Sequence, residues 1–253
     1  MPPVPVEPFV LAVLVLGGFL GGIANGLVGF GSAIVAMVIW LLVIEPLVAV
    51  PVMTLCAIAA QLMSLATVWH ARNWRRIALL LASSIPAVPV GAWLLTKVDA
   101  SAFKLFLGLA LAIYSGWLLA GRWRGSQLRW RPGAVGTGGI GLLAGFLGGF
   151  TGIMAPVLTL WSGLQGWSKD EQRATYQPVM LALVFAMIAS YAWQGLVTAH
   201  VGWLALYCTP AILLGTLVGT AVYRRISDVQ FDVIILVIVF LIGLNLALRA
   251  AWT

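Results

Sequence analysis

Two short runs hold most of the chemical potential of this sequence. The first is Asn25-Gly26-Leu27-Val28-Gly29-Phe30-Gly31-Ser32; the second is Gly148-Gly149-Phe150-Thr151-Gly152-Ile153-Met154-Ala155-Pro156. Each gathers glycines around a hydroxyl or amide inside an apolar stretch. Glycine permits tight turning and close backbone approach, so both runs read as places where a helix stops and restarts. A restarting helix presents free N–H groups and the positive end of its dipole, a combination that holds anions. Ser32 is expected to cap the first restart or to donate its hydroxyl to a bound anion. Pro156 suits the first turn of the second restart. Gly22-x-x-x-Gly26 and Gly145-x-x-x-Gly149 also fit the small-xxx-small pattern of helix packing. Gly29, Gly31 and Gly152 go beyond what packing needs.

Other chemistries fit less well. A serine protease within the membrane would use Ser32 with His70 or His200 as base. The order around Ser32 is G-x-G-S rather than G-x-S-G, and both histidines fall at expected span ends. Cys56 and Cys208 lie in apolar runs with no CxxC or Cys/His spacing, so neither a metal site nor a cofactor is expected. No Asp, Glu, Lys or Arg lies deep in an apolar run, which leaves no obvious proton carrier. Many neutral polar residues in such runs bond to neighbouring helices. Gln177 stands out because it precedes Pro178, at the start of the span packed beside the second hairpin. The candidate substrate-binding residues are therefore Asn25, Gly26, Gly29, Phe30, Gly31 and Ser32 in the first break and Gly149, Thr151 and Gly152 in the second. Gln61 and Gln177 join them from neighbouring spans.

The elements that position these residues follow from composition. In a chain of 253 residues, 62% are hydrophobic and 8% are charged, against about 25% charged in a soluble domain. So little charge cannot cover a soluble surface, which excludes soluble enzymes, nucleic-acid-binding modules and disordered tails. Continuous apolar stretches argue against a β-barrel, whose strands alternate. The N-terminus has no Lys or Arg before its first apolar run, so that segment is expected to stay as membrane structure rather than be cleaved.

The charges divide the chain into spans. Residues 8–44 and 132–168 are each neutral stretches of 37 residues, too long for one crossing of an apolar core about 30 Å thick and short for two. Each reads as a broken hairpin. Residues 46–71, 77–96 and 105–121 make three crossings; 174–223 makes two with a turn at Ala199-His200-Val201-Gly202, and the last is about 229–250. Four motif pairs recur in order: the glycine motifs, Pro51-Val52-Met53 with Pro178-Val179-Met180, Trp74 with Trp203, and Phe103 with Phe231. The sequence thus predicts an all-α integral membrane protein of two inverted repeats, each a glycine-broken helical hairpin followed by three transmembrane helices. Residues 1–121 form the first repeat, 122–132 a basic linker and 133–253 the second. The inverted arrangement places 11 Lys and Arg on one side and 3 on the other, as the positive-inside rule requires. Most tryptophans, including Trp69, Trp74, Trp123, Trp130, Trp167 and Trp203, fall near predicted ends as an interfacial belt.

The duplicated motif resembles that of the TauE/SafE sulfite exporter family, also called the toluene sulfonate uptake permease family. The matching glycines are Gly22, Gly26, Gly29 and Gly31 in one copy and Gly145, Gly149 and Gly152 in the other. The runs His70–Arg76 and Gly166–Arg173 are similar to family loops, and the likeness covers nearly the whole chain. Ser32 and Ala33 stand where the family usually has glycines, and Met154-Ala155-Pro156 replaces the second triplet. The resemblance implies a non-enzymatic secondary transporter, an exporter of small sulfur-containing anions such as sulfite or organosulfonates (sulfoacetate, for example). The anion would be bound between the two broken hairpins at the membrane midplane. The partners implied are the anion, the lipid bilayer, and a proton or sodium as candidate coupling ion, with no nucleic acid. The expected location is the bacterial inner membrane. The alternatives are transport of another small organic anion such as a carboxylate, or a non-transporting membrane scaffold.

Overall fold

The structure is a computed structural model and describes residues 7–28, 31–65, 74–123, 133–165 and 169–223, together with positions 237, 240, 241, 243–245, 247 and 248. Among these residues nine helices follow in order: α1 (Pro8–Val28), α2 (Ser32–Trp40), α3 (Pro46–Leu65), α4 (Trp74–Leu95), α5 (Ala100–Trp123), α6 (Ala134–Thr151), α7 (Ala155–Leu164), α8 (Lys169–Trp193) and α9 (Ala199–Tyr223). The described positions from 237 to 248 are helical as well, and no strand occurs among the described residues. Six helices (α1, α4, α5, α6, α8 and α9) are long and apolar enough to cross a membrane. The chain is an all-α integral membrane protein.

The sparse charges mark where helices begin. Glu7, Glu45 and Asp99 immediately precede α1, α3 and α5, and each carbonyl receives the first helical hydrogen bond, from Leu11, Ala49 and Phe103. Asp99 also accepts the Ala102 N–H on its carboxylate at 2.8 Å. Asp170 and Glu171 lie in the first turn of α8. Negative charge is favoured at that end of a helix by its dipole. The run from Lys169 to Arg173, expected as a loop, is thus helical. The turn between α8 and α9 also differs from expectation: it comprises residues 194–198, ahead of Ala199 to Gly202, which begin α9. Gly195 causes this. With φ +73° it ends α8, the Leu196 N–H reaching back to Tyr191 O and its own N–H to Ala192 O, the pairing of a Schellman stop.

Both 37-residue stretches are broken hairpins of a long and a short helix. At about 1.5 Å per residue α1 is about 31 Å long and α6 about 27 Å, whereas α2 and α7 are only about 14–15 Å. α2 runs back along α1. A Cβ on Gly21 would stand 2.7 Å from Ser32 O, one on Gly17 2.9 Å from the Trp40 ring, and the Trp40 indole donates to Leu14 O at 2.9 Å. The ends of α1 and α6 are 123 residues apart, as are the starts of α2 and α7. That offset is the one relating Gly22 and Gly26 to Gly145 and Gly149.

The chain forms two compact units, each drawn from both halves. One holds α1, α2, the first part of α3, α5, α9 and the final segment. In it α1 and α9 pack in parallel: a Cβ on Gly22 would strike Ile212 O, and one on Gly26 would strike Thr216 O and stand 2.7 Å from Thr220 N. Gly215 and Gly219 of α9 face Phe19 O and Ile23 O in return. α5 lies antiparallel to the final segment, Gly108 against Gly243 and Ala247, Gly116 against Phe240. The other unit holds the rest of α3 with α4, α6, α7 and α8. There α4 and α6 pack in parallel in the same way: Gly145 meets Ser84 O, Gly149 meets Val88 O and Ala92 N, and Gly91 faces Phe146 O. No side chain fits at these crossings, so the helices approach until backbones touch.

Candidate functional site

The first break lies between Val28 and Ser32. Gly31 is the N-cap of α2, with φ 120° and no side-chain capping bond. Its carbonyl receives the first helical hydrogen bond, from Val35 N at 3.1 Å. The N–H groups of Ser32, Ala33 and Ile34 therefore have no acceptor within the helix. This corrects the expected cap: Ser32 is the first helical residue, buried at 7% exposure. The adjacent glycine reaches a backbone angle closed to serine, so the cap moves one place upstream. Asn25, on the last full turn of α1, is 5% exposed, and its Nδ2 has no hydrogen-bond partner among the described residues. Gly26 is occupied by the crossing with α9, where the Thr220 hydroxyl lies 3.5 Å from Gly26 O. Gly29 and Phe30 lie outside the described residues.

The second break lies between Thr151 and Ala155. Here the threonine hydroxyl and the end of α6 are paired, while the Ala155 and Val157 N–H groups that begin α7 have no acceptor within that helix, as at the start of α2. Gly152 caps α6 with φ 74°, its N–H donating to Gly148 O at 2.8 Å. The Thr151 hydroxyl donates to Leu147 O at 2.8 Å and accepts the Ile153 N–H at 3.2 Å. The Tyr191 hydroxyl, fully buried on α8, lies 2.7 Å from Gly149 O and 3.2 Å from Gly148 O. The α7 helix opens with Leu158 N to Met154 O at 3.4 Å, and Pro156 sits second in it, as its missing donor suits. Gly149 itself is consumed by the crossing with α4.

The two glutamines take separate places in the second unit. Gln61, half-buried on α3, points its Nε2 at Met180 Sδ, 3.6 Å away. Gln177 on α8 is 1% exposed, with Oε1 lacking a donor among the described residues. It stands ten residues before Met187, whose sulfur would be 3.4 Å from a Cβ on Gly148. Ten residues are about 15 Å of helix, so Gln177 lies along the flank of the hairpin and not at the break. Gln165, just past α7, was not among the sequence candidates; it is buried, and its Nε2 has no partner among the described residues. Its sequence signal was a lone glutamine in Leu164-Gln165-Gly166, indistinguishable from a loop residue. Tyr191 was also missed, because an aromatic in an apolar run reads as core.

Every buried polar side chain among the described residues is neutral. Helices α1, α2, α3, α6, α7 and α9 contain no charged residue at all. An anion at either break would be held by amide, hydroxyl and backbone N–H donors. The family model described as Sulfite exporter TauE/SafE matches residues 14–246. No curated protein and no solved structure matches the chain.

Proposed function

Because the chain belongs to the TauE/SafE family of sulfite-exporter-type membrane transporters, we propose that it is a secondary exporter of small sulfur-containing anions, sulfite or organosulfonates, in the bacterial inner membrane. The observation that carries this reading is the first break. It combines a buried amide donor at Asn25 that has no partner among the described residues with the three N–H groups at the start of α2 that have no acceptor within that helix. Leaving a buried donor unsatisfied costs about 1–3 kcal/mol, and a bound oxyanion would recover it with a charge-assisted bond. Ser32 adds a hydroxyl at the same place. In the second half, Gly152 and Thr151 are assigned to holding the shape of the second break, and Gln177 to the flank of its hairpin. The matching offsets of both breaks and the parallel pairing of α1 with α9 and of α4 with α6 support an inverted duplication, the architecture in which discontinuous helices carry substrate.

The test is flux in proteoliposomes. Labelled sulfite should cross faster than in protein-free vesicles, and Asn25→Leu should lower that excess at least tenfold without loss of folded protein. Sulfite flux equal to that of empty vesicles, or acetate carried in preference to sulfite, would overturn the proposal.

A further inference from the structure

We propose that Gln177 and Ala174 on α8 are ligands of an alkali-cation site, for which sodium is the probe. That the ion drives anion export rests on the transport reading above; that it binds does not. Three observations meet on one face of α8. Gln177 is 1% exposed, and its Oε1 has no donor among the described residues. Pro178 lies inside α8. It has no N–H to give to Ala174 O, four residues back, and its ring crowds that carbonyl away from the helix. Ala174 is itself fully buried. Positions three apart share a helix face, so a side-chain oxygen and a backbone oxygen, neither with a helical or side-chain donor, stand within one turn. Met180 continues that face, and Gln61 of α3 points its Nε2 at the Met180 sulfur from 3.6 Å. Gln61 thus meets α8 one turn, about 4.5 Å, along the axis from Gln177. All four residues belong to one compact unit.

Oxygen acceptors that lack donors attract positive charge. Backbone carbonyls and neutral amide oxygens are the ligands that alkali ions take inside membrane proteins, including carbonyls freed where a helix is interrupted. A donor stands close by, yet the Gln61 amide is directed at sulfur, a weak acceptor, and leaves the Gln177 oxygen open. A buried water would satisfy the same oxygens, and dependence on the ion separates the two.

The matching motif in the first half is an internal control. Pro51-Val52-Met53 corresponds to Pro178-Val179-Met180, and Pro51 likewise lies inside its helix, α3, where it frees Leu47 O. Val50, fully buried, stands where Gln177 does. Both copies keep the proline; only one adds a side-chain acceptor beside it.

The experiment measures the Tm of the full chain in detergent, in sodium chloride against choline chloride at equal ionic strength, and sulfite flux in proteoliposomes in the same salts. Sodium at about ten times its Kd should raise Tm by about 3–6 °C over choline. Gln177→Leu should abolish that shift. Pro178→Ala returns an N–H to Ala174 O, should stay folded in choline, and should weaken sodium binding about tenfold or more. Pro51→Ala should leave the sodium shift in place. Equal Tm in sodium and choline, or a sodium shift that survives both Gln177→Leu and Pro178→Ala, overturns the site. Sulfite flux unchanged when choline replaces sodium overturns the coupling role. A sodium shift with no sulfite flux at all overturns the transport reading and leaves the site standing.

Discussion

The two helix breaks fall at equivalent positions and are built in opposite ways. At the second, side chains tie the end of α6: Thr151 bonds in two directions, Gly152 closes α6, and Tyr191 reaches in from α8 to the last carbonyls. At the first, Gly31 caps α2 without side-chain help, and the Asn25 Nδ2 has no acceptor among the described residues. The difference separates two demands on an interrupted helix. One break is tied by side chains; the other holds a side-chain donor with no acceptor among the described residues. Unsatisfied buried groups are costly, so they persist where something other than stability selects them.

The comparison can be broken most severely at the glycine crossings, which both hairpins share. Gly149→Val would drive a side chain into Val88 O and the Ala92 N–H. Helix backbones would have to part, and overpacking of this kind costs about 1–3 kcal/mol or more. Gly26→Val should behave alike against Thr216 and Thr220. Size-exclusion profiles in detergent should show loss of folded protein for both. A well-folded Gly149→Val protein would mean that α4 and α6 do not touch as described.

Tyr191→Phe comes next. It strips Gly149 O of a buried hydrogen bond at a cost of about 1–3 kcal/mol, a drop in Tm of about 2–4 °C per kcal/mol for a chain of this size. Asn25→Leu and Thr151→Val sharpen the contrast most directly, because their signs differ. Removing the unpartnered Asn25 donor should raise stability by about 1 kcal/mol and lower sulfite flux at least tenfold. Removing the paired Thr151 hydroxyl should lower stability by about 1 kcal/mol and reduce flux less. Thermal melts alongside flux give both readings; a fall in Tm for Asn25→Leu would show that its amide is satisfied. The smallest effect is expected at Gly139, in α6 but with nothing within 4 Å of an added Cβ. Gly139→Ala should gain about 0.5–1 kcal/mol from helix propensity alone and leave flux unchanged.

Much of this was legible in residue types. Glycine clusters and Pro156 located both breaks, because glycine takes the positive-φ angles found at Gly31 and Gly152 and Pro156 suits the first turn of a helix. The wide gaps between charges located the long helices, since charges gather where helices begin. Gly195 ended α8 earlier than expected: a single left-handed residue outweighs an apolar run that continues through it. The partner of each glycine face was not legible. Gly22 and Gly26 announce that some backbone will come close, but a contact with carbonyl oxygens carries no side-chain label naming α9. The same blindness hid Tyr191, whose role lies in one hydroxyl at the end of an apolar ring. It also misplaced the cap at Ser32, since Gly31 takes backbone angles that no composition reports.

The crossings between early and late helices have a consequence in time. Gly26 precedes its partner Thr216 by about 190 residues, and a ribosome adds roughly 5–20 residues per second. α1 therefore waits roughly 10–40 seconds in the bilayer with its small-residue groove uncovered, while α4 waits far less for α6. Whatever shields a nascent membrane chain from premature pairing has its longest task at the N-terminal helix, and a ribosome stalled before α9 leaves that helix without its mate.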